Sequence, residues 1–440
     1  MIFRFVKHKS SFIVLAITLA SPLAQAEELV KTDPAPNKTP ALNFSEAYER
    51  IIGRNLDVQS SQLNVEIFQA KKLATVGAFT PKINLLASET RQTTPDATDT
   101  LPARRAGAVN VGANLFRSGT DFAALKGANH DIDASEESLN DQKLKAEDDA
   151  ASILIGFISR SLERDLIAQI VGLKVDSVKI ARERYSRGLL AQQEVDKTQI
   201  DLDNAQARRI DADVLLSSAR ATVSARLGAF QSVNLEWPWK TSIVTGPRPD
   251  AIEFKLENRP DFRASLQTLE AEGWRRHASR AALLPSLDVI ASYGNFDLSQ
   301  SGRRDWSAVL TLTIPVFEGF AGWSASRIQT LTKQQAEIAR EVITRSAGAE
   351  IESYKVGFNE ARGSAIAREK TSKLTRALFT DNLQRFRLGR ASANELSFDQ
   401  QRLLDAQILE VEGWATAHLS FMRLCHALGR RVSSAGTCAI

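Results

Sequence analysis

The sequence predicts a mainly α fold in which long helical hairpins carry four β-strands of the transmembrane type. First, the chain contains an internal repeat with a period near 200 residues. Second, all 13 prolines lie outside residues 103–237 and 316–440, which leaves two long blocks free of the strongest helix breaker. Third, apolar and polar residues alternate between the predicted helices of each repeat, as they do in strands.

The two repeats align at a shift of 204 residues in their first halves and 201 in their second halves. The identical pairs include Asp57 and Asp261, Pro81 and Pro285, Phe116 and Phe317, Gly188 and Gly389, Glu194 and Glu395, Leu227 and Leu428, and Gly228 and Gly429. The difference of three residues falls between residues 89 and 108, so one connecting loop is longer than its counterpart. A period of this size is too long for a solenoid, so the repeat indicates a pseudo-symmetric protein.

The first 26 residues have the pattern of a secretory signal peptide. Basic residues are followed by an apolar run from Phe12 to Ala20 and by the small-residue site Ala24-Gln25-Ala26. The alternative is a membrane anchor, for which the run is shorter than the roughly 20 residues that a span needs. Residues 27–42 are then an N-terminal extension.

The charge and histidine pattern excludes several function classes. The formal net charge is +4, and removal of the three basic residues of the signal peptide leaves +1, so no nucleic-acid partner is expected. The five histidines show no metal-ligand spacing, and no phosphate-binding glycine loop is present. We therefore expect no enzyme, no metal and no cofactor.

Repeat 1 spans residues 43–228. Its first helix opens with the capping pair Asn43 and Glu46. A long helix over residues 119–187 is about 100 Å long at 1.5 Å per residue. It is followed by a turn at Gly188 and a helix over residues 190–228. The two shorter helices, stacked end to end, match the long one in length.

Repeat 2 spans residues 251–430 and follows a linker over residues 229–250. It has a first helix from about Ile252 to Leu284, a long helix over 321–387, a turn at Gly389 and a helix over 393–429. Residues 431–440 form a C-terminal tail.

Each repeat carries two predicted strands, over residues 81–90, 106–116, 285–296 and 305–315. Each strand has one apolar and one polar face and about ten residues, the pattern of transmembrane barrel strands. A half-buried soluble sheet gives the same alternation. Because the chain after the signal peptide has no apolar run suited to a membrane helix, entry into a membrane would require the strands. Four strands cannot close a barrel, so other chains must complete it.

Two further groups of residues leave alternatives open. Cys425 and Cys438 are the only cysteines, and either one disulfide or two free thiols fits an exported protein. Phe116, Phe317 and Phe320 follow the return strands, where they suit a membrane-interface belt or ordinary packing.

With these motifs in place, the chain resembles the TolC family of trimeric outer-membrane efflux and secretion ducts from about Leu42 to Gly429. The resemblance depends on the duplicated element order and on four motifs: Asn258-Arg259-Pro260-Asp261, Leu283-Leu284-Pro285-Ser286-Leu287, Pro315-Val316-Phe317-Glu318-Gly319, and a tip with an aromatic residue, a Gly three residues later and an acid six residues after that.

The resemblance implies a homotrimer in the outer membrane that extends into the periplasm. Each copy would give four strands to a twelve-stranded barrel in outer-membrane lipid and four helical columns to a periplasmic α-barrel. The linker over residues 229–250 would form an equatorial region. Implied partners are a periplasmic adaptor and an inner-membrane pump or ABC exporter. Drug efflux and type I protein secretion both remain open, as does the alternative of a periplasmic coiled-coil or adaptor protein without a pore.

The resemblance also implies a gate at the hairpin tips. Glu194 and Glu395 are the candidate acids of the constriction, although acids also suit the first turn of any helix. The aromatic tip positions are Tyr185 and Phe386. The family's second acid is replaced by Phe398 and its tip arginine by Ala391. In place of these two residues, the hydrogen bonds and ion pairs that hold the closed state would come from Arg187, Arg387 or Arg390.

The same tips are the expected contact for the adaptor. The candidate residues are Gly188, Leu189, Leu190, Val195, Gly389 and Leu396. The apolar members of this set could equally form the core of the hairpins.

Overall fold

A computed structural model describes residues 43–90, 104–228, 254–295, 305–432 and 438–439. The predicted signal peptide, the N-terminal extension and the linker over residues 229–250 lie outside these residues. None of the helices in the described part of the chain combines the length and the apolar character that a membrane crossing requires.

The four helices of repeat 1 are α1 (Phe44–Gly53), α2 (Leu56–Val76), α3 (Thr120–Ser186) and α4 (Gln192–Leu227). The predicted capping pair is confirmed, because the Asn43 side chain accepts from the Glu46 backbone N–H and the Glu46 side chain accepts from that of Asn43. The prediction of one continuous first helix is wrong. Helix α1 ends at Gly53, and the Asn55 side chain starts α2 by accepting from Asp57 N at 2.8 Å.

The three helices of repeat 2 are α5 (Pro260–Ala281), α6 (Ala321–Arg387) and α7 (Ala393–Ala427). The expected start of the first helix near Ile252 is wrong, since Leu256–Asn258 form a short 3₁₀ turn and α5 begins at Pro260. Proline suits the first helical position, and it keeps the preceding Arg259 extended. The long helices α3 and α6 each have 67 residues, as the hairpin prediction requires.

The four predicted strands form one antiparallel sheet in the order β1-β2-β3-β4. They are β1 (Lys82–Thr90), β2 (Arg104–Phe116), β3 (Ser286–Asn295) and β4 (Asp305–Thr313). The register brings the apolar faces of all four strands together, in the rows Leu85, Val109, Tyr293, Trp306; Ile83, Val111, Ala291, Ala308; Ala113, Val289, Leu310; and Phe116, Leu287, Leu312. The opposite face carries a polar row of Asn84, Asn110, Ser292 and Ser307, but also the exposed apolar side chains of Leu86, Ile290 and Val309. The single-strand alternation thus becomes a sheet with one apolar face and one mixed face.

A left-handed pair of residues connects the second strand of each repeat to its long helix. The pair is Ser118 and Gly119 in repeat 1, and Gly319 and Phe320 in repeat 2. These positions are equivalent at the shift of 201, yet glycine occupies the second place in one repeat and the first in the other. The Ser118 hydroxyl donates to Pro285 O at 2.6 Å, which ties this turn to the start of β3. The backbone conformation of this turn is therefore the same in both repeats, although the residue types differ.

Where α1, α3, α4 and α7 meet, they enclose a core that includes Ile51, Leu154, Val223 and Met422. At its edge the fully buried carboxylate of Glu147 accepts from Arg431 and lies 3.4 Å from His426 Nε2. The short strands β5 (Arg431–Val432) and β6 (Cys438–Ala439) pair here. Cys425 is fully buried and disulfide-bonded.

Glycines at φ 71° and 72°, Gly228 and Gly429, follow the ends of α4 and α7. A Cβ at Gly429 would lie 2.4 Å from Asn258 O and 2.8 Å from Asn258 C, both backbone atoms. We expect Gly429→Ala to lower the free energy of unfolding by more than the roughly 1–2 kcal/mol that a left-handed residue costs, which thermal unfolding would measure. Gly389→Ala is the matched control, because its φ is 77° but nothing lies within 4 Å of its Cβ position. Equal losses in the two variants would contradict the steric argument.

Candidate functional site

The two hairpin tips are built alike. Gly188 and Gly389 adopt φ values of 70° and 77°. At one tip Gly188 N donates to Tyr185 O and Leu189 N to Arg184 O, both at 2.9 Å. At the other, Gly389 N donates to Phe386 O at 3.0 Å and Arg390 N to Arg385 O at 2.8 Å. Both helices thus end in the same glycine-terminated motif.

The two candidate gate acids lie in the first turn after each tip. Glu395 forms a capping box with Ser392, accepting from Ser392 N at 3.1 Å while its own N–H donates to the Ser392 hydroxyl at 3.2 Å. Its side chain remains on the exposed side of α7. Glu194 instead accepts from Lys197 Nζ at 2.8 Å. The acid of repeat 1 is therefore ion-paired, and the acid of repeat 2 is a helix cap.

The two aromatic tip residues differ in burial. Tyr185 is 47% exposed, whereas Phe386 is 2% exposed and packs with Phe379, Leu396 and Leu403. The guanidinium carbon of Arg184 lies 4.6 Å from the centroid of the Phe386 ring, and Arg184 also donates to Phe386 O. Phe386 thus belongs to the hairpin core and contacts Arg184 of α3, so that within one chain it differs from Tyr185, the other predicted gate aromatic.

The predicted contact residues divide into two groups. Val195 and Leu396 are buried at 6% and 1%, which favours the alternative of hairpin core over an adaptor contact for both. Leu189 is 71% exposed, and Leu190 is partly exposed. The three arginines at the tips, Arg187, Arg387 and Arg390, are all exposed.

A polar network below the tips joins the two hairpins. The buried Lys174 of α3 donates to Asp201 of α4 at 3.2 Å and to Ser397 of α7 at 2.7 Å. Gln400 of α7, 1% exposed, donates to the Ser177 hydroxyl of α3 at 3.2 Å. Burial lowers the pKa of Lys174, and the attraction of Asp201 offsets part of this effect. No local pattern in the sequence predicts this network, because Lys174 and Ser397 are 223 residues apart.

The sheet exposes an unusual amount of apolar surface. On its apolar face Ile83, Leu85, Trp306, Leu310 and Leu312 are all exposed. Within the described residues β1 and β4 each pair with one strand only, so both edges of the sheet offer free backbone groups. A face of this kind, with open edges, is typical of a surface that another chain or a lipid phase covers.

Across the described ranges, no cluster of His, Cys, Asp or Glu side chains is arranged to hold a metal ion.

The sequence matches the family described as Outer membrane efflux protein over residues 47–229 and 251–430. It is 23% identical to Outer membrane efflux protein BepC of Brucella suis over 389 residues, which cover 86% of this chain and 83% of BepC. It is 26% identical to Outer membrane protein OprJ of Pseudomonas aeruginosa over 186 residues, which cover 40% of this chain and 37% of OprJ. The fold is similar to that of the CmeC outer membrane channel of Campylobacter jejuni, with a TM-score of 0.74, 16% identity, and coverage of 88% of this chain and 85% of CmeC.

Proposed function

Because the chain belongs to the outer membrane efflux protein family, we propose that three copies of it form the exit duct of a tripartite transport system. The duct lies in the outer membrane and extends into the periplasm. It receives substrates from an inner-membrane transporter through a periplasmic adaptor. The observation that carries the proposal is the sheet with one exposed apolar face and one mixed face, joined directly to two long helical hairpins.

The open edges of the sheet support assembly with further copies, since four strands per copy are too few for a closed barrel. The number of three comes from the resemblance to the family, and three copies would supply twelve strands. The long helices also expose apolar side chains that a neighbouring copy would cover. They include Leu63 and Leu73 on α2, Ile200, Ile210 and Val214 on α4, and Ile338, Val342, Leu374 and Leu378 on α6. A periplasmic coiled coil without a pore would account for the helices but not for the sheet and its exposed apolar face.

The direct test of the duct is its state in membranes. Outer membranes from cells that produce the protein should yield trimers that resist sodium dodecyl sulfate until they are heated. A protein found only in the periplasmic fraction would contradict the proposal. Efflux and type I secretion are then separated by gene deletion, which either sensitises cells to detergents and dyes or abolishes an exported protein.

Glu395 is the stronger of the two gate candidates, because Lys197 already neutralises Glu194. A ring of three carboxylates favours cations in a narrow passage. We expect Glu395→Gln to reduce the cation selectivity of single channels, measured as the reversal potential across a KCl gradient in planar bilayers. Glutamine keeps the capping box, so the tip should remain folded.

The matched control is Glu194→Gln, which should change the reversal potential less. An unchanged selectivity in Glu395→Gln would remove this residue from the constriction. The exposed Leu189 and the partly exposed Leu190, with Gly188 and Gly389, form the proposed adaptor contact. The exposed Arg187, Arg387 and Arg390 are the proposed residues that hold the closed state.

A further inference from the structure

The helix ends that lie next to the sheet are rich in basic residues. They are the end of α2, the start of α3, the end of α5 and the start of α6, and a short turn connects each of them to a strand. Together with these turns they hold nine Lys and Arg against four Asp and Glu. We call this part of the protein the basic collar, which comprises residues 70–82, 116–127, 272–288 and 316–328.

The helix segments one step further from the sheet have the opposite charge. They hold four Lys and Arg against eleven Asp and Glu. These segments, the acidic band, are residues 56–69, 128–141, 258–271 and 329–341. Each segment is about 20 Å long at 1.5 Å per residue. The positive charge is therefore confined to a narrow level of the protein, directly beneath the strands.

Most bases of the collar have no acidic partner. Arg117 contacts two acids and Arg275 pairs with two more. The other seven bases form no ion pair with any residue that the structure describes. They are Lys71, Lys72, Lys82, Lys126, Arg276, Arg280 and Arg327. An excess of positive charge is thus available to a ligand at this level.

The internal repeat places bases at equivalent positions of both halves. Lys72 is equivalent to Arg276 at the shift of 204, and Lys126 to Arg327 at the shift of 201. The helix dipole favours bases at the ends of α2 and α5, so it accounts for the first pair. It does not account for Lys126 and Arg327, since each is the seventh residue of its helix and lies near the end that favours acids. A negatively charged partner at this level would favour both pairs.

Large apolar side chains are exposed at the same level. Phe317 and Phe320 follow β4, with their ring centroids 5.7 Å apart, and Trp323 lies one turn further along the chain in α6. Phe79 and Phe116 flank the strands of repeat 1 and are exposed too. Aromatic residues are enriched where acyl chains meet headgroups. Exposed rings beside bases without ion pairs fit this boundary in a membrane that carries negative charge.

We propose that the basic collar binds the headgroups of anionic phospholipids in the periplasmic leaflet of the outer membrane. The inference rests on the proposed duct, which sets the sheet in that membrane. Lys and Arg side chains near an anionic membrane surface are attracted to it, and the attraction falls off within a Debye length. The acidic band is repelled by the same headgroups. The reversal of charge along the helices therefore fixes the depth at which the protein sits in the bilayer.

The test is the composition of the lipid that stays with purified trimers. Trimers are extracted with mild detergent from vesicles of equal parts phosphatidylcholine and phosphatidylglycerol, and both retained lipids are quantified. Wild-type trimers should retain several-fold more phosphatidylglycerol than phosphatidylcholine, and high salt should weaken this preference. The preference should be lost in the fourfold variant with Lys72→Gln, Lys126→Gln, Arg276→Gln and Arg327→Gln.

The matched control removes four exposed bases that lie outside the collar. It combines Lys179→Gln, Arg220→Gln, Lys255→Gln and Lys370→Gln, and it should keep the wild-type preference. The double variant Lys126→Gln and Arg327→Gln should lose part of the preference, and it carries the test if the fourfold variant yields no trimers.

The outcomes separate this inference from the proposed function. Wild-type trimers that retain both lipids equally would overturn the collar and leave the duct intact. An equal loss of preference in the control would also overturn it, since the effect would then belong to any exposed base. Wild-type protein that forms no heat-modifiable trimers in the vesicles would contradict the duct itself, and the collar with it.

Discussion

Replacing Leu310 with arginine is expected to stop the protein from assembling in the outer membrane. Leu310 lies in an inner row of the apolar face, where it pairs with Val289 across β3 and β4. An arginine on the lipid-facing side of a membrane barrel costs about 2–4 kcal/mol near the midplane. Each of three copies would carry this cost at the same depth. The heat-modifiable trimer should therefore disappear from the outer-membrane fraction.

The adjacent Thr311 provides a control that differs only in the face of the sheet. It pairs with Asp288 in the polar set and is exposed on the opposite side. Thr311→Arg points into water in a barrel, so trimers should form in normal amounts and only the conductance should change. If both variants assembled equally well, or if Thr311→Arg were the more damaging, the assignment of the two faces would be wrong.

The sequence was sufficient for the sheet and the hairpins because both depend on short-range signals. A period of two in the strands and the lack of proline in the helical blocks are visible in any window of ten to twenty residues. The four strands begin and end within two residues of their predicted bounds. The repeat then supplied a second, independent copy of each element.

The side chains at the tips were less predictable, because their environment depends on contacts between distant parts of the chain. The repeat aligns Phe386 with Tyr185. Phe386 is nevertheless buried among Phe379, Leu396 and Leu403, and its carbonyl accepts from Arg184, 202 residues away. Lys174 likewise meets Ser397 across 223 residues. No local period encodes such pairs. The break between α1 and α2 was different, since Gly53 and Asn55 were a local signal that could have been used.

Replacing Arg259 with methionine is expected to destabilise the protein by about 3 kcal/mol, because it leaves partly buried acids without their partner. Arg259 is 9% exposed and donates to Asp261 at 2.7 Å, to Glu350 at 2.9 Å and to Ala427 O at 3.2 Å. Burial disfavours its charge, but these acidic partners outweigh burial and raise the pKa of Arg259. It thereby joins the start of α5 to α6 and to the end of α7.

The effect of Arg259→Met should depend on pH in a defined direction. Burial would raise the pKa of Asp261, but its bonds with Arg259 outweigh burial and lower that pKa below its ordinary value. A carboxylate with a lowered folded-state pKa stabilises the protein above its unfolded pKa of about 4, and this contribution is lost as the pH falls through the folded value. The difference in unfolding free energy between wild type and variant, measured by denaturant unfolding, should therefore be largest at pH 7 and should narrow below about pH 4.

Repeat 1 supplies the control for this charge cluster. Arg54 donates to Leu227 O in the way that Arg259 donates to Ala427 O, but Arg54 is exposed, and no ion pair of its own is seen among the described residues. Arg54→Met should therefore lower the free energy of unfolding by about 1 kcal/mol, the value of one ordinary hydrogen bond. This loss should depend little on pH. A gap for Arg259→Met that stays constant from pH 7 to pH 3 would show that Asp261 does not carry the effect.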